Sequence, residues 1–210
     1  LRGRIAAYAM LLDPAEQERA ARYRFDHDRE RYIIGHGLLR ELLGSYLNED
    51  PAEVRMVRGE FGKPYIVGHP LHFNLSDTKD AVLIAIGRDH EIGADVETMN
   101  RTVDHRAVSE HYFTPEEIDD IMATHDQKRR FLELWTRKEA VLKASGVGIM
   151  DDLRVLRVDS ELNENTITHE AFVRMASPEY HLHTWYVGTD HIVSIAGSVP
   201  FGTTRLIRAW

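Results

Sequence analysis

Two short segments carry charged side chains whose types and spacing suit chemistry on a phosphate. Asp95 and Glu97 alternate within Gly93-Ala94-Asp95-Val96-Glu97, which puts both carboxylates on one side of a strand. Glu139 and Lys143 are four residues apart, which puts them on one face of a helix. If the strand end and the helix meet, three carboxylates converge beside an ammonium. Hard oxygen ligands suit a magnesium ion that also holds a phosphate, so these residues predict a phosphorylated substrate.

Each segment also has a purely structural interpretation. Asp95 and Glu97 would be two surface carboxylates that close an apolar strand. Glu139 and Lys143 would be an ordinary helix pair, worth about 0.2–0.5 kcal/mol. The choice between the structural and the functional interpretation depends on the other motifs in the chain.

Composition narrows the classes of function. The 210 residues contain no cysteine, which excludes disulfides, thiolate zinc sites and cysteine nucleophiles. A net charge of −8 argues against a general nucleic-acid binder. No run of about 18 apolar residues predicts a membrane span, and residues 1–7 are too polar for a signal peptide, so we expect a cytoplasmic protein. Basic clusters at 19–31 and 128–130 suit a small anionic ligand or an acidic protein partner, or are solvated helix faces.

The elements that must position these residues follow from periodicity and turn signals. In each half of the chain the pattern predicts a long helix followed by several mostly antiparallel strands. We therefore expect an α+β fold of two similar α/β halves in a pseudo-twofold arrangement. The halves would be residues 1–100 and 101–210, with the site at their junction. The predicted helices span 14–24, 28–47, about 114–124 and 127–145, and the predicted strands 54–57, 71–75, 81–86, 92–96, 153–158, 171–175, 180–187 and 191–197, with a hairpin turn at 87–90.

Two further segments accompany the two charged motifs, and the four together form a pattern that single motifs do not. The further segments are Gly62-Lys63-Pro64 and Phe73-Asn74-Leu75-Ser76. In chain order the four motifs resemble the 4′-phosphopantetheinyl transferase superfamily, specifically its Sfp type with a doubled domain. The last family motif runs from Phe131 to Lys143 without a mismatch, and Gly146-Val147-Gly148-Ile149 follows it. The resemblance covers nearly the whole chain.

The resemblance implies a reaction. Such enzymes move the 4′-phosphopantetheine arm of coenzyme A onto a serine of an acyl or peptidyl carrier protein and release 3′,5′-ADP. Asp95, Glu97 and Glu139 would hold Mg²⁺, with Mn²⁺ as an alternative, against the coenzyme A pyrophosphate. Lys143 would add positive charge there. Glu139 or Glu97, directly or through water, would take the proton from the serine.

The resemblance also implies a coenzyme A site and a partner surface. An acidic carrier protein would dock near helix 114–124 and the basic residues 128–130, and we expect a monomer because both sides of the cleft lie in one chain. Gly62, Lys63 and Pro64 would line the adenine site, Asn74, Ser76 and position 77 would lie at the phosphates, and Arg24, His27 and Arg40 would read the 3′-phosphate.

One residue departs from the family pattern. Family members usually have histidine after Phe-Asn-Leu-Ser, and this chain has Asp77, which would repel a phosphate. Asp77 would point away while Thr78 or Lys79 supplies a contact, or join the metal site, or mark a weak or altered enzyme. The last case leaves an alternative function, a catalytically weakened module that binds coenzyme A or a carrier protein. A different magnesium-dependent phosphodiesterase is a third possibility.

Overall fold

A computed structural model describes residues 1–148, 152–164 and 170–208. Short 3₁₀ turns lie at Arg2–Arg4 and Leu153–Val155. The helices are α1 Ile5–Leu11, α2 Pro14–Ala21, α3 Asp26–Leu47, α4 His105–Tyr112, α5 Pro115–Ala123, α6 Gln127–Ser145 and α7 Glu170–Met175. The strands are β1 Val57–Arg58, β2 Pro64–Tyr65, β3 Leu71–Thr78, β4 Ala81–Arg88, β5 Ile92–Thr98, β6 Leu162–Glu164, β7 Glu179–Val187 and β8 His191–Gly197.

Local signals in the sequence explain where the helices begin and end. α5 begins at a capping box in which the Glu117 amide donates to the Thr114 hydroxyl and the Thr114 amide donates to the Glu117 carboxylate. α2 begins with the same device, built from Asp13 and Glu16. α6 ends at Gly146, whose φ of 74° lies in the left-handed region that glycine favours.

Antiparallel pairing joins the strands into two sheets and one short pair. β3 and β4 form a hairpin, and a four-stranded sheet has the order β5-β8-β7-β6. The mixture of helices with antiparallel sheets confirms the coarse fold class, whereas the pseudo-twofold arrangement stays a prediction. β1 pairs with β2 alone. In the described part of the chain, no helix is long and apolar enough to cross a membrane.

The predicted hairpin between β4 and β5 is wrong. β4 turns back onto β3 through residues 79–80, so Thr78 faces Ala81. The segment 87–90 instead carries the chain to the second sheet, where Asp95 of β5 lies opposite Ser194 of β8. β5 therefore belongs to a sheet otherwise built from residues after 160. The division of the chain near residue 100 stays a prediction.

Two other predicted strands are also wrong. The segment 171–175 is helical: it belongs to α7, in which Phe172 is buried and Val173 is exposed. Residues 153–158 begin with a 3₁₀ turn, since Leu153 and Leu156 are buried with a spacing of three. Of the family-like segment 146–149, Ile149 lies outside the described residues.

α6 lies at the centre of the main hydrophobic core. Its apolar residues pack with Phe113, which follows α4, with Ile121 of α5, and with Leu182 and Ile192 from the four-stranded sheet. A smaller core joins α3 to the β3–β4 hairpin through Leu39, Leu43, Val54, Leu71 and Phe73. Ser76 lies on β3, which contributes to the smaller core, and Lys143 lies on α6 of the main core.

Candidate active site

Gly93 permits the close crossing of α6 over β5 that brings the two charged segments together. A Cβ built on Gly93 would overlap the Ala140 carbonyl oxygen and the Ala144 amide nitrogen, and it would lie 2.9 Å from the Ala144 Cα. Only glycine fits such an approach of two backbones. Sequence reasoning included Gly93 in the motif but assigned it no role.

Asp95, Ser76 and Lys143 form one hydrogen-bonded cluster at this crossing. The Lys143 ammonium donates to Asp95 Oδ1 at 2.6 Å and to Ser76 Oγ at 2.8 Å. Ser76 Oγ donates to the same Asp95 oxygen at 2.7 Å. Asp95 is only 6% exposed. Burial raises the pKa of its carboxyl group, and the charge of Lys143 opposes that rise. The structure thus joins three residues predicted from separate motifs.

Glu97 and Glu139 are electrostatic neighbours of this cluster. Burial raises the pKa of Glu97, the paired Arg101 lowers it, and the charge of Asp95 raises it again. Burial and then the charge of Asp95 raise the pKa of Glu139. Thr78 Oγ1 also donates to Glu97 at 3.3 Å. Three carboxylates therefore disfavour one another's charge in a low-dielectric setting.

These carboxylates fit a divalent cation by their chemistry. Among the described residues, no three His, Cys, Asp or Glu side chains are arranged as a ligand set for a metal. The repulsion among Asp95, Glu97 and Glu139 is nevertheless what a hard cation with oxygen ligands would relieve. The predicted ligands are thus close enough to interact, and the ion itself stays a prediction.

Asn74 holds the hairpin against the second sheet. Its side-chain oxygen accepts a hydrogen bond of 2.9 Å from the Ala94 amide, and the side chain is buried. This contact ties β3 to β5 and so fixes Ser76 beside Asp95. In this arrangement Asn74 positions Ser76 indirectly, by tying its strand to the backbone of β5.

Asp77 points away from this cluster. Because successive side chains alternate along a strand, Ser76 faces Asp95 and Asp77 faces the other way. The side chain of Asp77 is 48% exposed, and its carboxylate accepts from Arg31 Nε at 2.7 Å. Arg31 also donates to Asp28 at 2.8 Å and to the Lys79 carbonyl at 3.1 Å. Of the three explanations for Asp77, the geometry favours the first.

A cavity of about 850 Å³ is lined in part by Leu75 of β3 and by Pro64, the first residue of β2. We call the turn that leads into Pro64 the Pro64 turn. The cavity presents arginines and aromatic rings, which suit an anionic ligand with a flat ring. Tyr32 projects a hydroxyl group that is buried without a hydrogen-bond partner among the described residues, and burial raises its pKa to about 12. The cavity is lined by Asp13, Ala15, Glu16, Glu18, Arg19, Arg22, Tyr23, Tyr32, His36, Leu39, Met56, Arg58, Pro64 and Leu75.

The structure separates the three residues predicted to read the 3′-phosphate. Arg24 and His27 are exposed at the α2–α3 junction, where both contact Phe25, and neither lines this cavity in the described residues. Arg40 is 1% exposed, and its guanidinium donates to Glu16 at 2.6 Å and to Asp13 at 2.8 Å.

Arg19 and Arg22 of the early basic cluster line the cavity, but the sequence did not single them out from the other members of that cluster. Arg19 lies 5.8 Å from the centroid of the Tyr32 ring, and Arg58 donates to the Gly62 carbonyl at 2.9 Å. The cluster does not say which of its members face inward, and Arg58 lies outside it. Gly62 itself has a φ of 86°, so the turn before Pro64 requires glycine.

Comparison with known proteins assigns the class. A profile of the 4′-phosphopantetheinyl transferase superfamily matches residues 91–196, and a profile described as 4′-phosphopantetheinyl transferase, N-terminal, matches residues 2–88. The chain belongs to the 4′-phosphopantetheinyl transferase superfamily. The predicted resemblance is thereby confirmed.

Individual relatives agree with this class. The 4′-phosphopantetheinyl transferase HetI of Nostoc sp. is 35% identical over 147 residues, which cover 67% of this chain and 62% of HetI. The 4′-phosphopantetheinyl transferase Sfp of Bacillus subtilis is 27% identical over 145 residues, covering 68% and 63%. The chain thus spans somewhat under two thirds of the length of these relatives. The crystal structure of holo-ACP synthase from Plasmodium yoelii aligns with a TM-score of 0.39 and 15% identity over 51% of this chain and 91% of that one.

Proposed function

We propose that this protein transfers the 4′-phosphopantetheine arm of coenzyme A to a serine of an acyl or peptidyl carrier protein, releasing 3′,5′-ADP. The observation that carries the proposal is the cluster of Lys143, Asp95 and Ser76 with Glu97 and Glu139 beside it. An ammonium and a hydroxyl can donate to a pyrophosphate that is being cleaved, and acidic oxygens can hold a cation against it. Family membership supports the same reaction.

Each residue of the cluster would have a separate role in the reaction. Lys143 and Ser76 would donate to the pyrophosphate of coenzyme A. Glu139, whose pKa is raised by burial, would accept the proton of the carrier serine, and Glu97 is the other candidate. The serine oxygen then forms a bond to the phosphorus of the pantetheine phosphate, and the bond from that phosphorus to 3′,5′-ADP breaks. Mg²⁺, or Mn²⁺, held by Asp95, Glu97 and Glu139, would neutralise negative charge on these phosphates.

The cavity is the proposed site of the nucleotide part of coenzyme A. Pro64 and Leu75 line it, and Leu75 directly precedes Ser76 of the cluster. The adenine ring would lie near Pro64 and the two tyrosines Tyr23 and Tyr32, and the 3′-phosphate near Arg19. In this arrangement one molecule would extend from the cavity to Lys143.

One assay distinguishes the three candidate functions. The protein is incubated with coenzyme A, Mg²⁺ and an apo carrier protein, and the carrier is weighed by mass spectrometry. A gain of one phosphopantetheine arm supports transfer. Cleavage of coenzyme A without a gain in carrier mass would instead support a phosphodiesterase. Binding of coenzyme A without either reaction would support the binding module, which loses its main argument because Asp77 points away from the cluster.

A further inference from the structure

The Lys63 side chain leaves the cavity that its neighbour Pro64 lines. Its ammonium pairs with Glu91 and donates to the Ala144 carbonyl at 2.9 Å and to the Ile92 carbonyl at 3.3 Å. The side chain is 16% exposed. Burial lowers the pKa of Lys63, and the charge of Glu91 opposes that effect. The Lys63 ammonium therefore contacts groups of the protein itself and does not point into the cavity.

The three acceptors lie where α6 crosses β5. Ile92 is the first residue of β5, and Ala144 lies in the last turn of α6. The last four carbonyls of a helix have no partner within the helix, and a cation is favourable at that end. The Lys63 stem also lies close to Gly146, because a Cβ added there would be 3.4 Å from the Lys63 Cδ.

The residues beside these acceptors belong to the candidate active site. Lys143 precedes Ala144 directly, and Gly93, the point of closest approach between α6 and β5, follows Ile92. A shift of the last turn of α6 would move the Lys143 ammonium away from Asp95. Misplacement of a reacting group by about 1 Å can cost about 100-fold in rate.

We infer that Lys63 is a positioning residue: its ammonium fastens the Gly62-Lys63-Pro64 turn to the crossing of α6 over β5 and thereby holds Lys143 against Asp95. The inference rests on the proposed transfer reaction for its kinetic consequences. The carboxylate of Glu91 favours the charged form of the Lys63 side chain. The other oxygen of Glu91 lies 3.2 Å from His72 Nδ1. The backbone of the turn stays available to a ligand in the cavity.

The kinetic test compares Lys63→Met with Lys63→Arg. In Lys63→Met, kcat for transfer should fall about tenfold or more while KM for coenzyme A changes less than about twofold. Lys63→Arg keeps a cation at the helix end and should recover part of the loss. Arg55→Met, which removes an exposed cation from the same half, is the matched control and should behave as wild type. A raised KM with unchanged kcat would overturn the inference, because Lys63 would then contact the ligand.

A second readout does not depend on transfer. The chain has five lysines, so ¹³Cε-labelled lysine gives at most five NMR signals. The Lys143 signal, assigned with Lys143→Arg, should shift in Lys63→Met and stay in place in Arg55→Met. Should Lys63→Met fail to fold, Glu91→Gln weakens the same fastening and should shift the Lys143 signal in the same direction. An unmoved Lys143 signal in both variants contradicts the inference, whereas absence of transfer by the wild type contradicts only the proposed function.

Discussion

Glu139 lies in surroundings that oppose its charge. Burial and the nearby Asp95 raise the pKa of Glu139 above its ordinary value of 4.5. Between these two values the folded protein binds more protons than the unfolded chain, so stability falls as pH rises through that window. The buried charge of Glu139 therefore costs stability.

Glu139→Gln should abolish transfer and stabilise the protein measured in EDTA. Glutamine is neutral and similar in shape, so it removes the cost of the buried charge. The expected gain at pH 7 is about 1 kcal/mol, or about 2–4 °C in Tm. The gain should vanish in acid below the ordinary pKa of the carboxyl group, where Glu139 is protonated in both states. The exposed Glu53→Gln should leave both properties unchanged, and a destabilised Glu139→Gln that still transfers would contradict both roles.

Asp77→Ala should leave transfer within about twofold of wild type. Its partner Arg31 is also held by Asp28, and a partly exposed ion pair is worth about 0–1 kcal/mol. Ser76→Ala, one residue away, removes bonds to Asp95 and Lys143 and should lower kcat. Measuring kcat for both variants in the same carrier assay checks that Ser76 and Asp77 point to opposite sides of β3. If Asp77→Ala loses as much activity as Ser76→Ala, Asp77 acts within the site.

At the scale of elements, the site depends on how closely α6 packs on β5. Gly93 allows the contact, and a buried hydrogen bond of 2.8 Å between the hydroxyl groups of Thr136 and Ser194 joins α6 to β8, the neighbour of β5. Together these contacts set the distance between the strand that carries Asp95 and the helix that carries Lys143. The spacing of charged residues in the sequence says which face they share but not how far apart the two elements lie.

Gly93→Ala should separate α6 from β5. The added methyl group meets backbone atoms, which cannot rotate away, so we expect destabilisation of about 1–3 kcal/mol. Transfer should fall further than the loss of folded protein explains. The free energy of unfolding in urea and kcat at low temperature measure these effects separately. Gly3→Ala is the control because nothing lies within 4 Å of a Cβ there; wild-type activity in Gly93→Ala would show that the crossing tolerates the extra atom.

Some elements were predictable and others were not, for identifiable reasons. α6 was predicted over 127–145 because its caps and apolar spacing are local signals. The partner of β5 was not predictable, because pairing with β8 joins residues about 100 positions apart in the chain. Residues 171–175 were predicted as a strand because β-branched and aromatic residues favour strands, whereas the structure places Phe172 in the core from a helix.

At the scale of the whole molecule, the cavity and the charged cluster lie on either side of the β3 segment that carries Leu75 and Ser76. The cavity is built from α2, α3 and the Pro64 turn, and the cluster from β3, β5 and α6. A ligand that reaches both must be long and carry charge at two places. Coenzyme A meets that description.

Arg19→Met should raise KM for coenzyme A about tenfold, because a lost charge-assisted hydrogen bond costs about 1.5–3 kcal/mol. KM for 3′-dephospho-coenzyme A should change little, since that molecule lacks the phosphate. Arg24→Met is the matched control, because Arg24 lies outside the cavity. An increase in KM for Arg24→Met and none for Arg19→Met would restore the assignment made from the sequence.

Arg129→Glu should raise KM for an acidic carrier protein several-fold. Arg129 lies exposed with its guanidinium 3.8 Å from the centroid of the Tyr186 ring. Arg130 is unsuitable for the test, because it pairs with Asp120 and Glu133 and its reversal would disturb the fold. Arg55→Glu carries the same charge change elsewhere and should leave the carrier KM unchanged. An unchanged carrier KM for Arg129→Glu would place docking elsewhere.

The sequence alone determined the family, the residue types of the candidate site, and the strand β5 and helix α6 that carry its charged residues. These depend on local patterns: alternation puts Asp95 and Glu97 on one side, and a spacing of four puts Glu139 and Lys143 on one face. The tertiary structure decided which charges meet: it pairs Lys143 with Asp95, turns Asp77 to Arg31 and buries Arg40 beside Glu16. The physical reason is that partners in an ion pair are chosen by burial and by contacts between distant segments, and the order of residues along the chain does not encode these directly.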